Sequence, residues 1–190
     1  QHSNAVEVLK QARAIRDDQY TLYYHIQALY DSAAPAAQME PLVKEYLNKH
    51  PDREDRYERI ALLGLAWNRE KNSERALKLF RSLLAISPAT HSVASYFVQL
   101  NGTEPAQLKD SEAALKKAIV DCEKNAPKQV WRLRYSLGFT LYRDRVKDIP
   151  KAKAALREML EKSPTNDSYT TSAISWLFTT AETEEEFHAD

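Results

Sequence analysis

Hydrophobic residues recur every three or four positions along almost the whole chain, which is the period of an amphipathic α-helix. The first three such stretches are marked by Val6 to Ile15, by Tyr20 to Tyr30 and by Leu42 to Leu47. Seven more follow, at residues 57–68, 73–86, 93–100, 105–124, 130–143, 149–162 and 169–180. No stretch alternates polar and apolar residues as a half-buried strand does. The pattern therefore predicts an all-α protein of ten helices joined by short polar segments.

Proline residues stand directly after several of these predicted helices, at nearly constant intervals. Pro51, Pro88, Pro127 and Pro164 are spaced by 37, 39 and 37 residues. Proline cannot continue a helix and biases the residue before it away from helical geometry. A period of this length that contains two helices is typical of a repeated helical hairpin. The alternative is a helix bundle in which the prolines recur by chance.

One segment, residues 57–90, carries the clearest repeat signature. Its first helix holds Leu63, Gly64 and Trp67, its second holds Ala76, Phe80 and Leu83, and Pro88 closes it. At these offsets the segment resembles a tetratricopeptide repeat. We expect Gly64 and Ala76 to face each other where the two helices cross, because only small residues permit a close approach. Trp67 and Phe80 would fill the adjoining space.

The resemblance is weaker elsewhere, but it extends over nearly all of residues 1–190. It implies that they form a single solenoid. The expected units are a partial repeat at 1–17, repeats at 20–53, 57–90, 91–127 and 131–166, and a terminal helix with an acidic tail at 167–190. The fold that this resemblance implies is all-α, a right-handed α-solenoid of antiparallel helix hairpins similar to tetratricopeptide repeats.

Two repeats depart from the pattern in ways that predict local structure. In the third full repeat, the first helix is expected to end at Asn101-Gly102 and a long second helix to begin at Pro105. In the last full repeat, the small residues of the two helices are two positions further apart than in the best repeat. We assign these extra residues to a longer turn over 143–150.

Composition and charge exclude several classes of function. Lys and Arg number 27 and Asp and Glu number 27, so the chain has no basic surplus for binding nucleic acid. No apolar run approaches the ~18 residues of a membrane-spanning helix, so we expect no direct insertion into a membrane. The glycines at positions 64, 102 and 138 cannot form a nucleotide-binding loop, and the histidines show no metal-binding spacing. We predict that the chain is not an enzyme and holds no cofactor or metal.

The single cysteine, Cys122, lies on the apolar side of the predicted helix at 105–124. A cysteine in that position is typically a packed thiol rather than a nucleophile.

A candidate binding surface follows from the resemblance. In tetratricopeptide arrays the first helices of successive repeats line a concave groove that holds peptides. The Lys and Asn with which some members bind the carboxylates of chaperones are missing at the equivalent positions here. The chain has instead an aromatic patch with a neighbouring cation: Arg132, Tyr135, Phe139 and Tyr142, with Phe178 from the next first helix. Aromatic side chains are good peptide anchors because each buries a large area at small entropic cost.

We therefore expect these five residues to form a peptide-binding site, with Arg132 pairing with an acidic group of the ligand. Tyr135 is expected to be exposed. For Phe139 and Tyr142, exposure in the groove and packing against neighbouring helices both agree with the pattern.

The function that the resemblance implies is protein–protein interaction, by a scaffold or adaptor that binds a peptide segment of a partner. Both ends of the chain align with incomplete repeats, and Thr183 to Glu186 has the pattern of a capping box. We therefore expect the chain to be part of a longer array. The alternative is that residues 169–180 are themselves its cap. In a longer array the function would be that of a recognition or regulatory domain of a multidomain enzyme or of a secretion or assembly component.

Two further alternatives stay open. An apolar face at an open repeat end would favour self-association. A free-standing enzyme with a helical-repeat fold would need a buried polar cluster in the groove. The sequence assigns no compartment, because a cytoplasmic protein and one whose secretory signal has been cleaved both agree with it.

Overall fold

A computed structural model describes residues 2–16, 18–53, 56–86 and 89–181. The helices in these ranges are α1 His2–Ile15, α2 Gln19–Asp31, α3 Ala36–Lys49, α4 Arg56–Arg69, α5 Ser73–Leu84, α6 His91–Asn101, α7 Pro105–Asn125, α8 Val130–Tyr135, α9 Ile149–Leu160 and α10 Ser168–Thr179. A 3₁₀ turn, Pro127–Gln129, precedes α8, and a π-helix, Ser136–Val146, continues it directly. The described residues contain no strand. The predicted all-α class and the predicted order of helices are thus confirmed for this part of the chain.

Three of the four periodic prolines stand where the sequence predicts them. Pro51, Pro127 and Pro164 follow the ends of α3, α7 and α9. Pro88 and the capping pattern over Thr183 to Glu186 lie outside the described residues.

The chain forms two compact units, Gln1–Phe80 and Arg81–Asp190. In the first unit α1 packs on α2, α2 on α3 and α3 on α4, and α2 also contacts α4. Its core contains Leu22, Ile26, Leu29, Met39, Val43, Tyr46, Leu63 and Ala66. Helices of this unit therefore contact alternate as well as consecutive neighbours.

The second unit has the same kind of neighbour pattern. Consecutive helices from α6 to α10 pack against each other, and α6 also contacts both α8 and the π-helix. One of its core clusters contains Trp131, Phe139, Leu156, Met159, Ala173 and Leu177.

The boundary between α6 and α7 lies where the sequence predicts it. The first helix ends at Asn101, and Gly102 has a φ of 100°, a left-handed value that glycine adopts without strain. The second begins at Pro105, and Glu104 and Gln107 form a reciprocal capping box at its first turn.

Glycine permits a close approach between helices at two places, Gly64 and Gly138. A methyl group on Gly64 would lie 2.8 Å from Cε2 of Phe80. The closest side chain is thus Phe80 and not Ala76, which corrects the expected pairing of two small residues. Gly138 repeats the close approach against Leu156 of α9.

The two extra residues of the last full repeat lie in a helix and not in a turn. The π-helix continues to Val146, and only Lys147 and Asp148 separate it from α9. Lys147 has a left-handed φ of 62°, and its N–H donates to the carbonyl of Tyr142. The predicted long turn over 143–150 is therefore wrong, because it assumed an α-helical period. Hydrogen bonds that span five residues take up more residues in each turn.

Candidate functional site

Three side chains form a ridge along one face of the continuous helix 130–146 of the second unit. They are Tyr135, Phe139 and Arg143, and clefts lie on both sides of them. The α10 cleft, of about 550 Å³, is completed by Thr171, Ser172, Ser175, Trp176 and Thr179. The α6 cleft, of about 350 Å³, is completed by His91, Ser92, Ser95, Tyr96, Gln99, Thr140, Asp144 and Tyr169. The ridge is thus the shared wall of two adjoining openings.

The π-helix determines which residues reach this ridge. In an α-helix, residues seven positions apart lie on one face, so Tyr135 would be followed by Tyr142. In the π-helix each backbone hydrogen bond spans five residues, so every turn holds more residues than an α-helical turn. The face that contains Tyr135 and Phe139 therefore continues at Arg143, one position later than the α-helical period predicts.

The structure places Tyr142 on a different face of the helix. Its side chain is buried, and its hydroxyl donates to Glu112 Oε1 at 2.8 Å. Burial, with the hydrogen bond to Glu112 as a second cause, raises the pKa of Tyr142 above its usual value. It lines a separate cleft of about 490 Å³ together with residues of α7, α8 and α9. The predicted grouping of Tyr142 with Tyr135 and Phe139 is therefore wrong.

Two other predicted site residues also lie off the clefts. The guanidinium of Arg132 lies 5.4 Å from the ring centroid of Trp131. Phe178 is 40% exposed on α10, but neither it nor Arg132 lines the α10 cleft or the α6 cleft. The cation at the ridge is Arg143, which sequence reasoning missed because the α-helical period directs it away from Tyr135.

The two aromatic residues of the ridge are less exposed than a free surface patch. Phe139 is only 4% exposed, and its ring centroid lies 4.6 Å from that of Tyr135 and 5.6 Å from that of Trp176. Tyr135 is half-buried, so the expectation that it is fully exposed is not met. The guanidinium of Arg143 stacks 4.1 Å from the centroid of the Phe139 ring. Phe139 therefore supports the ridge, while Tyr135 and Arg143 form its accessible part.

His91 contributes a neutral polar group behind the ridge. Its ring centroid lies 5.0 Å from that of Tyr135 and 4.7 Å from that of Tyr169. Its Nδ1 is 2.7 Å from the hydroxyl oxygen of Ser136. Burial lowers the pKa of His91 to about 4, so the imidazole is uncharged at neutral pH. Ser136 is completely buried, so this pair stabilises the packing and cannot reach a substrate as nucleophile and base.

We expect His91 to titrate near pH 4 instead of near 6.5. A lowered pKa means that the unfolded chain binds the proton more tightly, so stability is complete above pH 6.5 and falls as the pH is lowered toward 4. NMR titration of the histidine ring protons, assigned with His91→Gln, measures this directly. In urea denaturation at pH 7 and pH 5, the variant should lose less stability than the wild type.

Some acid sensitivity should persist in that variant, because burial also lowers the pKa of His25. A titration midpoint for His91 near 6.5 would contradict its burial behind Tyr135 and Tyr169.

A fourth cleft offers a comparison surface in the same unit. It has a volume of about 310 Å³ and is lined mainly by Leu84, Ala85, Ala113, Ala114 and Ala118. Arg81 and Asp110 form a bidentate ion pair at its edge, with N–O distances of 3.1 and 2.5 Å. This cleft contains no aromatic side chain, so its chemistry differs from that of the ridge.

Other candidate chemistry is sparse in the described part of the chain. Cys122 is fully buried on α7, as predicted for a packed thiol. The described residues contain no cluster of three or more side chains suited to a metal ion. Among the same residues, no helix has both the length and the apolar composition needed to cross a membrane. No protein-family model matches this chain, and neither curated proteins nor solved structures show a significant similarity to it.

Proposed function

We propose that this chain is a protein-interaction module that binds a peptide segment of a partner protein along the ridge of Tyr135, Phe139 and Arg143. The observation that carries the proposal is the pair of clefts that share this ridge. Aromatic side chains held in place by packing lose little entropy when a ligand binds, so they contribute strongly to affinity.

The proposal includes a fold of tetratricopeptide-like hairpins in a right-handed α-solenoid. Within each unit, contacts between alternate helices support this arrangement, since they stack one hairpin on the next. The close approaches at Gly64 and Gly138 support it as well, because they recur at corresponding positions of two repeats. In such an array α6, α8 with the π-helix, and α10 are successive first helices, which line the concave surface.

The α10 cleft is the primary binding surface in this proposal. It is lined by Tyr135, Phe139 and Trp176 and by hydroxyl groups of α10. A peptide that lies along α10 can bury an apolar side chain against the rings of Tyr135 and Trp176, which pack against the buried ring of Phe139. Its backbone can form hydrogen bonds with the hydroxyl groups, as interfaces between proteins commonly combine a buried apolar centre with a polar rim.

The test blocks the α10 cleft with a bulky side chain and uses the same substitution in the comparison cleft as a control. Ser175→Trp places a bulky neutral side chain at an exposed position of the α10 cleft, and Ala113→Trp does the same in the comparison cleft. Peptides are selected from a displayed random library with the full chain, and their affinities are measured by fluorescence anisotropy. Ser175→Trp should weaken binding at least about tenfold, a loss of ~1.4 kcal/mol, while Ala113→Trp should leave it unchanged.

Circular dichroism should show equal helix content in both variants. Failure to select any peptide would contradict the proposed function, and so would loss of binding in Ala113→Trp alone.

A further inference from the structure

We propose that Arg143 makes the α10 cleft selective for peptides that carry a side-chain or terminal carboxylate. This inference rests on the proposed function and specifies the chemistry of the partner segment. It identifies Arg143 as the specificity-determining residue of the cleft.

The first argument is the placement of the guanidinium. Arg143 lines both clefts and stacks on the ring of Phe139, so its plane is held by packing. Its Nε donates to Asp144 Oδ1 at 2.6 Å, and its Nη2 donates to Asp144 Oδ2 at 3.1 Å. Nη1 takes part in neither of these bonds. A guanidinium has five donors in a fixed fork, so a second carboxylate can bind its remaining edge.

The second argument is the charge of the cleft. Among the described residues that line the α10 cleft, Arg143 is the only ionised group, and none of them is a carboxylate. The remaining lining consists of aromatic rings and hydroxyl groups. A hydrogen bond between ionised groups is stronger in such surroundings than in bulk water. Asp144 pairs with Arg143 from outside this lining, so a ligand carboxylate would bind the edge of the guanidinium that Asp144 does not occupy.

The third argument concerns the hydroxyl groups on the wall opposite Arg143. Thr171 donates to the carbonyl of Asp167, Ser172 to that of Ser168 and Thr179 to that of Trp176. The Thr171 and Thr179 hydroxyls use their protons on backbone carbonyls of α10 and its cap, so they offer lone pairs that accept hydrogen bonds, whereas Ser172 also hydrogen-bonds to Tyr135. An acidic peptide has both parts of the matching pattern, since its carboxylate accepts from Arg143 and its amide groups donate to the hydroxyls.

A nucleic acid fits this arrangement poorly. Phosphodiester backbones are bound by several cations that act together. The α10 cleft offers Arg143 alone among its described lining residues. An inorganic anion fits poorly as well, since it would leave the acceptor hydroxyls of α10 without donors.

Replacement of Asp144 is expected to change the affinity for acidic peptides in the opposite direction to replacement of Arg143. Its carboxylate occupies two donors of Arg143 in the free protein, so it competes with the carboxylate of a ligand. Asp144→Asn removes this competing charge and should raise the affinity for an acidic peptide several-fold. A purely structural role of Arg143 would not produce such a gain.

The experiment uses two displayed libraries of the same design, one of which has Asn and Gln in place of Asp and Glu. Peptides selected with the full chain, and their amide counterparts, are then measured against the wild type, Arg143→Gln, Arg143→Lys and Asp144→Asn. We expect Arg143→Gln to lower the affinity for the acidic peptides about tenfold or more, since a hydrogen bond to a charged group contributes about that factor to affinity. Arg143→Lys should recover only part of the loss, because Lys lacks the planar fork.

The outcomes separate this inference from the proposed function. One outcome is that peptides bind equally well without a carboxylate and that Ser175→Trp abolishes this binding. It would overturn the proposed selectivity and leave the peptide-binding proposal standing. Equal affinity of Arg143→Gln and wild type for acidic peptides would overturn it in the same way. Failure of both libraries to provide any ligand would overturn the two proposals together. Arg143 lies at the surface, so circular dichroism of its variants should match the wild type.

Discussion

Replacement of Phe139 by alanine is expected to lower the free energy of unfolding by about 3–5 kcal/mol, the usual cost of a buried Phe→Ala substitution. The side chain is 4% exposed and belongs to the core cluster with Trp131, Leu156 and Leu177. Its removal leaves a cavity and takes away the surface on which Arg143 stacks. Urea denaturation of the full chain, followed by circular dichroism, measures the loss.

Phe178→Ala is the matched control, because it removes the same side chain from a neighbouring helix of the same unit. Phe178 is 40% exposed, so its removal should cost about 1–2 kcal/mol. Equal losses in the two variants would contradict the assignment of Phe139 to the core. Because Phe139 has a large structural role, its truncation cannot by itself identify a ligand-binding residue.

The second large effect concerns the contact between Gly138 and Leu156. A methyl group at Gly138 would lie 2.8 Å from Cγ and Cδ2 of Leu156. Overpacking of this kind costs about 1–3 kcal/mol, although alanine has a higher helix propensity than glycine by about 1 kcal/mol. Leu156→Ala empties a fully buried position and should cost about 2–5 kcal/mol.

A double-mutant cycle tests whether these two residues are coupled. In Gly138→Ala/Leu156→Ala, the new methyl group enters space that Leu156 has vacated. The double variant should therefore lose less stability than the sum of the single variants, by about 0.5–3 kcal/mol. Urea midpoints of the four proteins determine this coupling. Strict additivity would mean that α9 and the π-helix do not pack at this point.

Much of the fold could be predicted from local patterns. The helices α1 to α10 follow the periodicity of apolar residues, and the ends of α3, α7 and α9 follow the positions of proline. The start of α7 at Pro105 was predicted as well. These features depend on residues within one or two helical turns, so the sequence contains the information directly.

The candidate site could be predicted only in part. Tyr135 and Phe139 do line the clefts, but Arg132, Tyr142 and Phe178 do not. The error for Tyr142 comes from one assumption, a uniform α-helical period through 130–143. The helix changes to π-helical hydrogen bonding at Ser136. As a result, the next residue on the face of Tyr135 and Phe139 is Arg143 and not Tyr142. The sequence did contain a signal, because the small residues of this repeat are two positions further apart than in the best repeat. The two extra residues were assigned to a turn instead of to the helix.

The sequence by itself determined the all-α class, the number and order of the helices in the described ranges, the ends marked by proline and the packed state of Cys122. These depend on hydrophobic periodicity and on backbone restrictions that act locally. The tertiary structure alone decided the hydrogen-bond register of the helix 130–146, the burial of Phe139 and Tyr142, and the place of Arg143 between two clefts. An α-helix and a π-helix of the same residues differ by one position in each hydrogen bond, so local patterns distinguish them poorly. The helices packed on both sides determine which side chain faces α10.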